Sequence, residues 1–177
     1  MTSATTPVPI PTPAAGHYRI DPVRSTVSFT TRHMFGLGGV TGTFAIREAE
    51  LVVGDPVTST TLSAVIDAAS FESGKAKRDA DVASPKLLDT ATFPDITVTG
   101  TGLSQRDGRW VANGTVFAHG VSAPLELVLD SIQDDQAGEL VLRATTRIDR
   151  YAHGVTAAKG MAGRWLDVTL DAFATRS

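Results

Sequence analysis

The sequence contains no cysteine among its 177 residues. A disulfide scaffold, a thiol nucleophile and a cysteine-ligated metal site are therefore excluded. Long apolar runs are missing as well, and residues 1–16 consist mainly of Thr, Pro and Ala with no lysine or arginine. A secretory signal peptide and a transmembrane helix both require a continuous apolar run. We therefore expect a cytoplasmic location and no stable membrane insertion.

An excess of charge of one sign is also absent. The chain has 16 basic and 19 acidic residues, which gives a net charge of −3. Electrostatic binding to nucleic acid or to an acidic membrane normally shows as a basic excess. The overall charge therefore predicts neither kind of partner.

Motifs of the common catalytic sites are missing too. There is no Gly-x-Ser-x-Gly turn, no Walker loop and no His-Glu-x-x-His zinc motif. The glycine-rich run at 36–39 has no helix predicted after it, so a phosphate cradle is not expected. We assign no catalytic residue from these patterns.

What the sequence does contain is a repeated alternation of apolar and polar residues. It is clearest where Val27, Phe29 and Thr31 alternate with Ser28 and Thr30. A period of two is the pattern of a strand with one face on an interior and the other on water. Roughly eight such segments follow one another, so we predict an all-β fold, an extended antiparallel β-barrel. A two-sheet sandwich is the alternative.

The alternation stops in the segment at 71–89. Residues 73–83 are rich in charge and alanine and predict a short helical insert, interrupted near Pro85, where a proline can open a new turn. We expect the insert to cover one open end of the sheet. Arg78 and Asp79 are adjacent on this helix, so each must find separate partners.

The first residues form a separate segment. Prolines alternate with other residues over 7–13, a composition typical of an extended or disordered leader. We therefore divide the chain into a disordered leader at 1–16 and one barrel domain at 17–177. The alternative is that the leader acts as a docking or strand-swapping arm.

Three histidines, His33, His119 and His153, each lie near the end of a predicted strand. Three imidazoles at one rim can bind a transition metal, but their separations in the sequence show no ligand spacing. Polar contacts to a ligand and structural hydrogen bonds are the other roles open to them. We predict no metal site and no cofactor.

A set of short motifs follows in order along residues 18–173. They are Tyr18-Arg19-Ile20-Asp21-Pro22, Ser25, Val27-Ser28-Phe29, Arg32-His33-Met34, Gly42-Thr43-Phe44, Arg78-Asp79, Ser84-Pro85-Lys86-Leu87-Leu88-Asp89, Phe93-Pro94-Asp95-Ile96, Gly114-Thr115, His119-Gly120-Val121 and Arg150-Tyr151-Ala152-His153-Gly154-Val155. This ordered set resembles the YceI-like family of polyisoprenoid-binding, lipocalin-like proteins. Each motif is short, and their order makes the resemblance specific. Arg24, Asp81 and the Phe117-Ala118 pair depart from the family pattern, at positions expected near loops or the mouth of the barrel.

The resemblance implies a lipocalin-like barrel that binds a long isoprenoid, a quinone or a similar amphiphilic lipid in its interior. The implied role is transport or storage without catalysis. Dimers occur in the family, so a homodimer is one expected assembly. The residues expected to contact the ligand are Phe29, Met34, Phe44, Phe71, Phe93, Ile96, Val98, Phe117, Leu127 and Leu129 in the interior, and His33, Arg78, Asp79, His119 and His153 at the mouth.

Two other interpretations remain open from the residues alone. An enzyme would use the histidine cluster on a small lipophilic substrate. A structural or interaction module would fill its barrel with side chains, because protein interiors are normally close-packed. The alternation of apolar residues does not distinguish a hollow interior from a filled one.

Overall fold

In the computed structural model, the described residues (10–33, 38–135, 137–159 and 162–177) form an antiparallel β-barrel with one short α-helix. The helix, α1, covers Ala76–Ala83. The strands are β1 (Gly16–Ile20), β2 (Thr26–His33), β3 (Gly38–Phe44), β4 (Ile46–Val53), β5 (Thr61–Asp67), β6 (Asp95–Arg106), β7 (Arg109–Ala118), β8 (Val121–Asp134), β9 (Glu139–Asp149) and β10 (Trp165–Arg176).

Two of the long barrel strands are each interrupted once. β1 and β2 are separated by residues 21–25, and both pair with β10. Pro22 accounts for this break, because proline has no amide hydrogen to donate to a ladder. β3 and β4 are separated only by Ala45 and pair with β2 and β1. The ten strands therefore make eight barrel strands, and the β1–β10 pairing closes the barrel. The predicted barrel of about eight strands is confirmed, and the sandwich alternative is wrong.

Two-residue turns connect the central strands. Asp107 and Gly108 join β6 to β7, and His119 and Gly120 join β7 to β8. All four residues have positive φ, between 53° and 77°, as a type I′ turn requires. Glycine adopts this conformation freely and other residues seldom do. The turn therefore fixes the place of His119 in the structure.

The insert between β5 and β6 covers a side of the barrel that the strands leave open. Within the described part of the chain, β3 has no strand on its outer edge, but its Thr43 exchanges two backbone hydrogen bonds with Glu72, at 2.9 and 3.0 Å. Helix α1 follows inside the segment predicted to be helical and ends before Pro85. Asp79 accepts hydrogen bonds from the amide and the hydroxyl of Ser73, which hold the start of the helix in place.

The two ends of the barrel differ in how they are filled. At the end that we call the closed end, side chains occupy the interior: Tyr18 and Leu140 are fully buried, with Trp110 beside them. The indole nitrogen of Trp110 is buried there without a hydrogen-bond partner among the described residues. The opposite end, the mouth, carries the insert, the His119-Gly120 turn and the β9–β10 loop.

Part of the predicted leader lies against the closed end. Pro13 is buried, and Ile10 packs on the core. The hydroxyl of Tyr18 donates a hydrogen bond to the carbonyl of Ala14 at 2.9 Å, and Arg176 donates one to that hydroxyl at 2.9 Å. Residues 1–9 lie outside the described residues, so the division of the chain at residue 16 stays a prediction.

Candidate ligand-binding site

The mouth half of the barrel encloses a cavity of about 650 Å³. This volume lies within the range of roughly 300–1,000 Å³ that is usual for small-molecule sites. Because a cavity of about 150 Å³ holds one benzene ring, the space suits a chain of about 25 carbon atoms. Six of the ten interior residues predicted to contact a ligand lie in the cavity wall: Phe29, Phe44, Phe71, Ile96, Val98 and Leu127.

Three of these side chains form one aromatic cluster. The ring centroids of Phe29, Phe44 and Phe71 lie 5.3 to 5.8 Å apart. Phe71 belongs to the insert and reaches the strands because Gly42 has no side chain. A Cβ at Gly42 would lie 2.6 Å from the Phe71 ring. The cluster therefore fastens the insert to β2 and β3.

A second, smaller cavity of about 70 Å³ lies toward the closed end. Ile20, Leu62, Leu127 and Leu170 line both cavities and so separate them. Leu129, predicted to contact a ligand, lines only the smaller one. The interior is therefore hollow toward the mouth and largely filled toward the closed end.

Two predicted aromatic contacts lie outside the large cavity. Phe117 is on the outer face of β7 and 42% exposed, so its predicted inward orientation is wrong. Side chains alternate along a strand, and Val116 and Ala118 occupy the inward positions. Phe93 packs on the His119 ring instead, with ring centroids 4.9 Å apart. Neither aromatic ring lines the cavity.

Charged residues of helix α1, and Lys75 directly before it, lie along the cavity at the mouth. Arg78 is in the wall as predicted, and Lys75, Lys77 and Asp81 lie there as well, which the sequence did not indicate. Asp79 does not line the cavity, because its carboxylate is bonded to Ser73. Asp79 therefore has a partner of its own, as predicted, whereas the separate partner predicted for Arg78 is not found among the described residues.

Two of the predicted histidines, His119 and His153, are held by backbone carbonyl groups. His119 Nδ1 lies 3.1 Å from the carbonyl oxygen of His153, and His153 Nδ1 lies 2.9 Å from that of Val121. A carbonyl only accepts, so both Nδ1 atoms donate. His153 is buried and lines the cavity, whereas His119 does not. Met34 and the side chain of His33 lie outside the described residues.

The sequence did not indicate that Arg150 is a buried cation at the site. Arg150 lies just after β9, is only 7% exposed and lines the cavity. Its guanidinium donates hydrogen bonds to four backbone carbonyl groups of the β9–β10 loop, at 2.7 to 3.0 Å, which belong to Val155, Ala157, Ala162 and Gly163. Burial lowers the pKa of this guanidinium, because desolvation disfavours the charged form.

The outer rim of the mouth bears an exposed tryptophan. Trp165, the first residue of β10, is 44% exposed. The guanidinium groups of Arg147 and Arg164 lie 5.5 and 5.1 Å from its ring centroid. These distances are typical of cation–π contacts, so the indole is held between two charged groups at the edge of the barrel.

Within the described residues, no cluster of three or more His, Asp or Glu side chains has an arrangement that can hold a metal ion. The same part of the chain contains no helix long and apolar enough to span a bilayer.

Comparison with protein families agrees with the barrel and its motifs. The family model of the YceI-like domain matches residues 18–174. The chain belongs to the YceI-like family. The resemblance inferred from the ordered motifs is therefore confirmed. No curated protein sequence matches the chain.

Solved structures show the same YceI-like architecture. BcnA of Burkholderia cenocepacia superposes with a TM-score of 0.76 at 17% identity, over 88% of this chain and 99% of that one. A polyisoprenoid-binding domain of Saccharophagus degradans gives 0.68 at 17% identity, over 90% and 98%. The YceI protein of Campylobacter jejuni gives 0.58 at 18% identity, over 78% and 85%. At these identities the likeness concerns the fold.

An ion pair beside the mouth makes the stability of this YceI-like barrel depend on pH. Arg164 donates hydrogen bonds of 2.9 and 2.7 Å to the Asp149 carboxylate and lowers the pKa of Asp149; the Tyr151 amide acts in the same direction, while burial opposes both. A carboxyl whose pKa is lower in the folded state stabilises the fold above its unfolded pKa of about 3.9, and this contribution disappears as the pH falls through the folded value.

We therefore expect Asp149→Asn to flatten the fall in unfolding free energy between about pH 5 and pH 2. Urea unfolding at a series of pH values measures it. Asp167→Asn is the control, because the Arg147–Asp167 pair is largely exposed and such pairs contribute little. Equal pH profiles for the two variants would contradict the assignment of this pH dependence to the Asp149–Arg164 pair.

Proposed function

We propose that this protein is a non-catalytic carrier or store for a single-chain amphiphile, such as a long isoprenoid or a quinone. The observation that supports this most is the apolar cavity of about 650 Å³, open toward a rim with charged side chains. An apolar tube with polar groups at one end matches a molecule with a hydrocarbon tail and a polar head. The Saccharophagus domain of the same fold, described as polyisoprenoid-binding, supports the same ligand class.

The energetics of tail burial agree with this role. Each buried CH₂ contributes about 0.8 kcal/mol, before the cost of ordering the chain is subtracted. Filling a cavity for about 25 carbon atoms therefore gives useful affinity without any specific polar contact. The filled closed end limits how far a tail extends into the barrel.

The histidine geometry favours binding over catalysis. His119 and His153 each give Nδ1 to a backbone carbonyl, and His119 sits in a tight turn with φ of 53°. Such contacts are typical of histidines that hold loops together. A cytoplasmic location and a homodimer stay predictions from the sequence.

The test is to extract tag-free protein with organic solvent and to identify the extract by mass spectrometry against a mock purification. We expect a stoichiometric amphiphile. Phe29→Glu should abolish its retention, because a carboxylate in an apolar wall is costly to desolvate. Ala64→Phe, which fills the same cavity without adding charge, should reduce retention strongly. Phe117→Glu is the matched control on the outer face and should retain the ligand.

Circular dichroism and urea unfolding establish that each variant is folded. Full retention by both folded interior variants would contradict an interior site. An empty extract that stays empty after incubation with a panel of prenyl lipids would contradict the carrier function itself.

A further inference from the structure

The charges along the cavity are unbalanced. Its described lining contains the cations Lys75, Lys77, Arg78 and Arg150 and a single carboxylate, that of Asp81. All the other lining residues are uncharged apart from His153, whose charge depends on its protonation. The protein as a whole carries a net charge of −3, so the sign of the charge along the cavity is opposite to that of the chain.

These four cations also lack the carboxylate partners that most of the other described arginines have. None of them forms an ion pair with a carboxylate of the described residues, and Asp149, the neighbour of Arg150 in the sequence, is bound to Arg164. By contrast, seven arginines elsewhere each form an ion pair with a carboxylate: Arg24, Arg47, Arg106, Arg109, Arg143, Arg147 and Arg164. The positive charge at the cavity therefore has no carboxylate partner in the described part of the chain.

Arg150 contributes its positive charge from inside the cavity wall rather than from the edge of the mouth. Its Nε and Nη1 hydrogens are used in three hydrogen bonds to carbonyl groups, and Nη2 makes one more. A guanidinium has five N–H groups, so one Nη2 hydrogen remains available. Carbonyl dipoles solvate this cation without cancelling its charge. An anion bound in the cavity would neutralise the charge of Arg150.

We propose that the cavity selects amphiphiles with an anionic head group, a phosphate or a carboxylate, over neutral alcohols and quinones. This inference rests on the proposed carrier function and narrows its ligand class. The head group lies at the mouth, between helix α1 and the segment that begins at Arg150, and the tail occupies the apolar cavity below. Charge-assisted hydrogen bonds from lysine and arginine supply the discrimination.

The experiment compares three probes that share one C15 chain: farnesyl phosphate, farnesoic acid and farnesol. Their affinities are measured by displacement of a neutral fluorescent prenyl probe, at low and at high NaCl. We expect the two anions to bind about tenfold more tightly than farnesol. Added salt should reduce this preference, because the lysines at the mouth are exposed and salt screens exposed charges.

The four lysines of the chain provide a matched pair of variants. Lys75 and Lys77 line the cavity, whereas Lys86 and Lys159 do not. K75Q/K77Q should weaken binding of the anions about tenfold and leave farnesol unchanged. K86Q/K159Q removes the same charge and should leave all three affinities close to those of the parent. If only farnesyl phosphate binds more tightly than farnesol, the selected head group is a phosphate. If farnesyl phosphate and farnesoic acid bind equally tightly, the site selects carboxylates as well.

Three results would overturn the proposal. Equal affinity for all three probes would remove the head-group selection while leaving the carrier function in place. An equal effect of the two double variants would show that net charge, and not the cavity lining, sets the affinity. Failure of all three probes to bind would count against the carrier function itself.

Discussion

Gly114→Ala is expected to lower the free energy of unfolding by about 3 kcal/mol, because overpacking a filled site forces the backbone to move. An added Cβ would overlap the carbonyl oxygen of Thr99 and lie 2.9 Å from the Cα of Gly100. Both are backbone atoms of β6, which pairs directly with Gly114. The ladder between β6 and β7 would have to separate locally. Urea unfolding measures the loss, and the melting temperature should fall by roughly 6–12 °C.

The control lies on the same rung of the sheet. Gly100 is opposite Gly114, but a Cβ there would lie 3.4 Å from the Leu62 side chain and 3.8 Å from the carbonyl oxygen of Asn113, which are ordinary contact distances. Gly100→Ala should therefore cost less than about 1 kcal/mol. If the two variants were equally stable, the close approach of the strands at Gly114 would be refuted.

Arg150→Met is expected to release the β9–β10 loop from the barrel. Methionine keeps much of the side-chain volume but cannot donate the four hydrogen bonds that tie the loop to β9. The bond to Val155 is buried and the other three are part-buried. Because a buried carbonyl left without a donor costs about 1–3 kcal/mol, we expect the free energy of unfolding to fall by about 3 kcal/mol. Trypsin should then cleave after Lys159, which lies in this loop, much faster than in the parent protein.

An exposed arginine provides the comparison for this variant. Arg147 makes a single 3.3 Å contact with Asp167 and has a side chain that is 64% exposed. Arg147→Met should change stability by less than about 1 kcal/mol and leave the trypsin pattern unchanged. Equal cleavage in both variants would show that the hydrogen bonds of Arg150 do not hold the loop.

The barrel was predictable because its strands follow a simple period. In β5, Leu62, Ala64 and Ile66 face the interior, as their alternation with polar residues indicates. The turn at Asp107-Gly108 has residues that favour positive φ. The two interruptions were harder to place, because only Pro22 marks one of them, while Ala45 between β3 and β4 has no distinctive property.

The size and hydrophobicity of the β7 residues do not indicate which face of the strand points into the barrel. Both of its faces contain apolar residues: Val116 and Ala118 point inward, and Phe117 points outward. The inward positions hold small residues because the cavity needs space, and Trp110 faces the core at the other end of the same strand. Counting in twos from Trp110 gives the correct face, whereas the inward orientation predicted for Phe117 rested only on its being large and apolar.

The charged residues of the site were missed for a different reason. Lys75, Lys77 and Arg150 look in the sequence like ordinary surface charges, since charged residues are mostly exposed. Their position at the cavity depends on tertiary structure, namely how the insert and the β9–β10 loop fold over the mouth. The one available signal for Arg150 was its place at the start of a YceI-like motif that continues to Val155.

The two tryptophans give the molecule a pair of independent optical reporters. Trp110 is buried in the closed end, whereas Trp165 is exposed between two arginines at the mouth. An indole in an apolar core emits at a shorter wavelength than one in contact with water. Trp110→Phe leaves only the rim fluorophore, and Trp165→Phe leaves only the core fluorophore. Emission spectra of these two variants therefore separate events at the mouth from melting of the core.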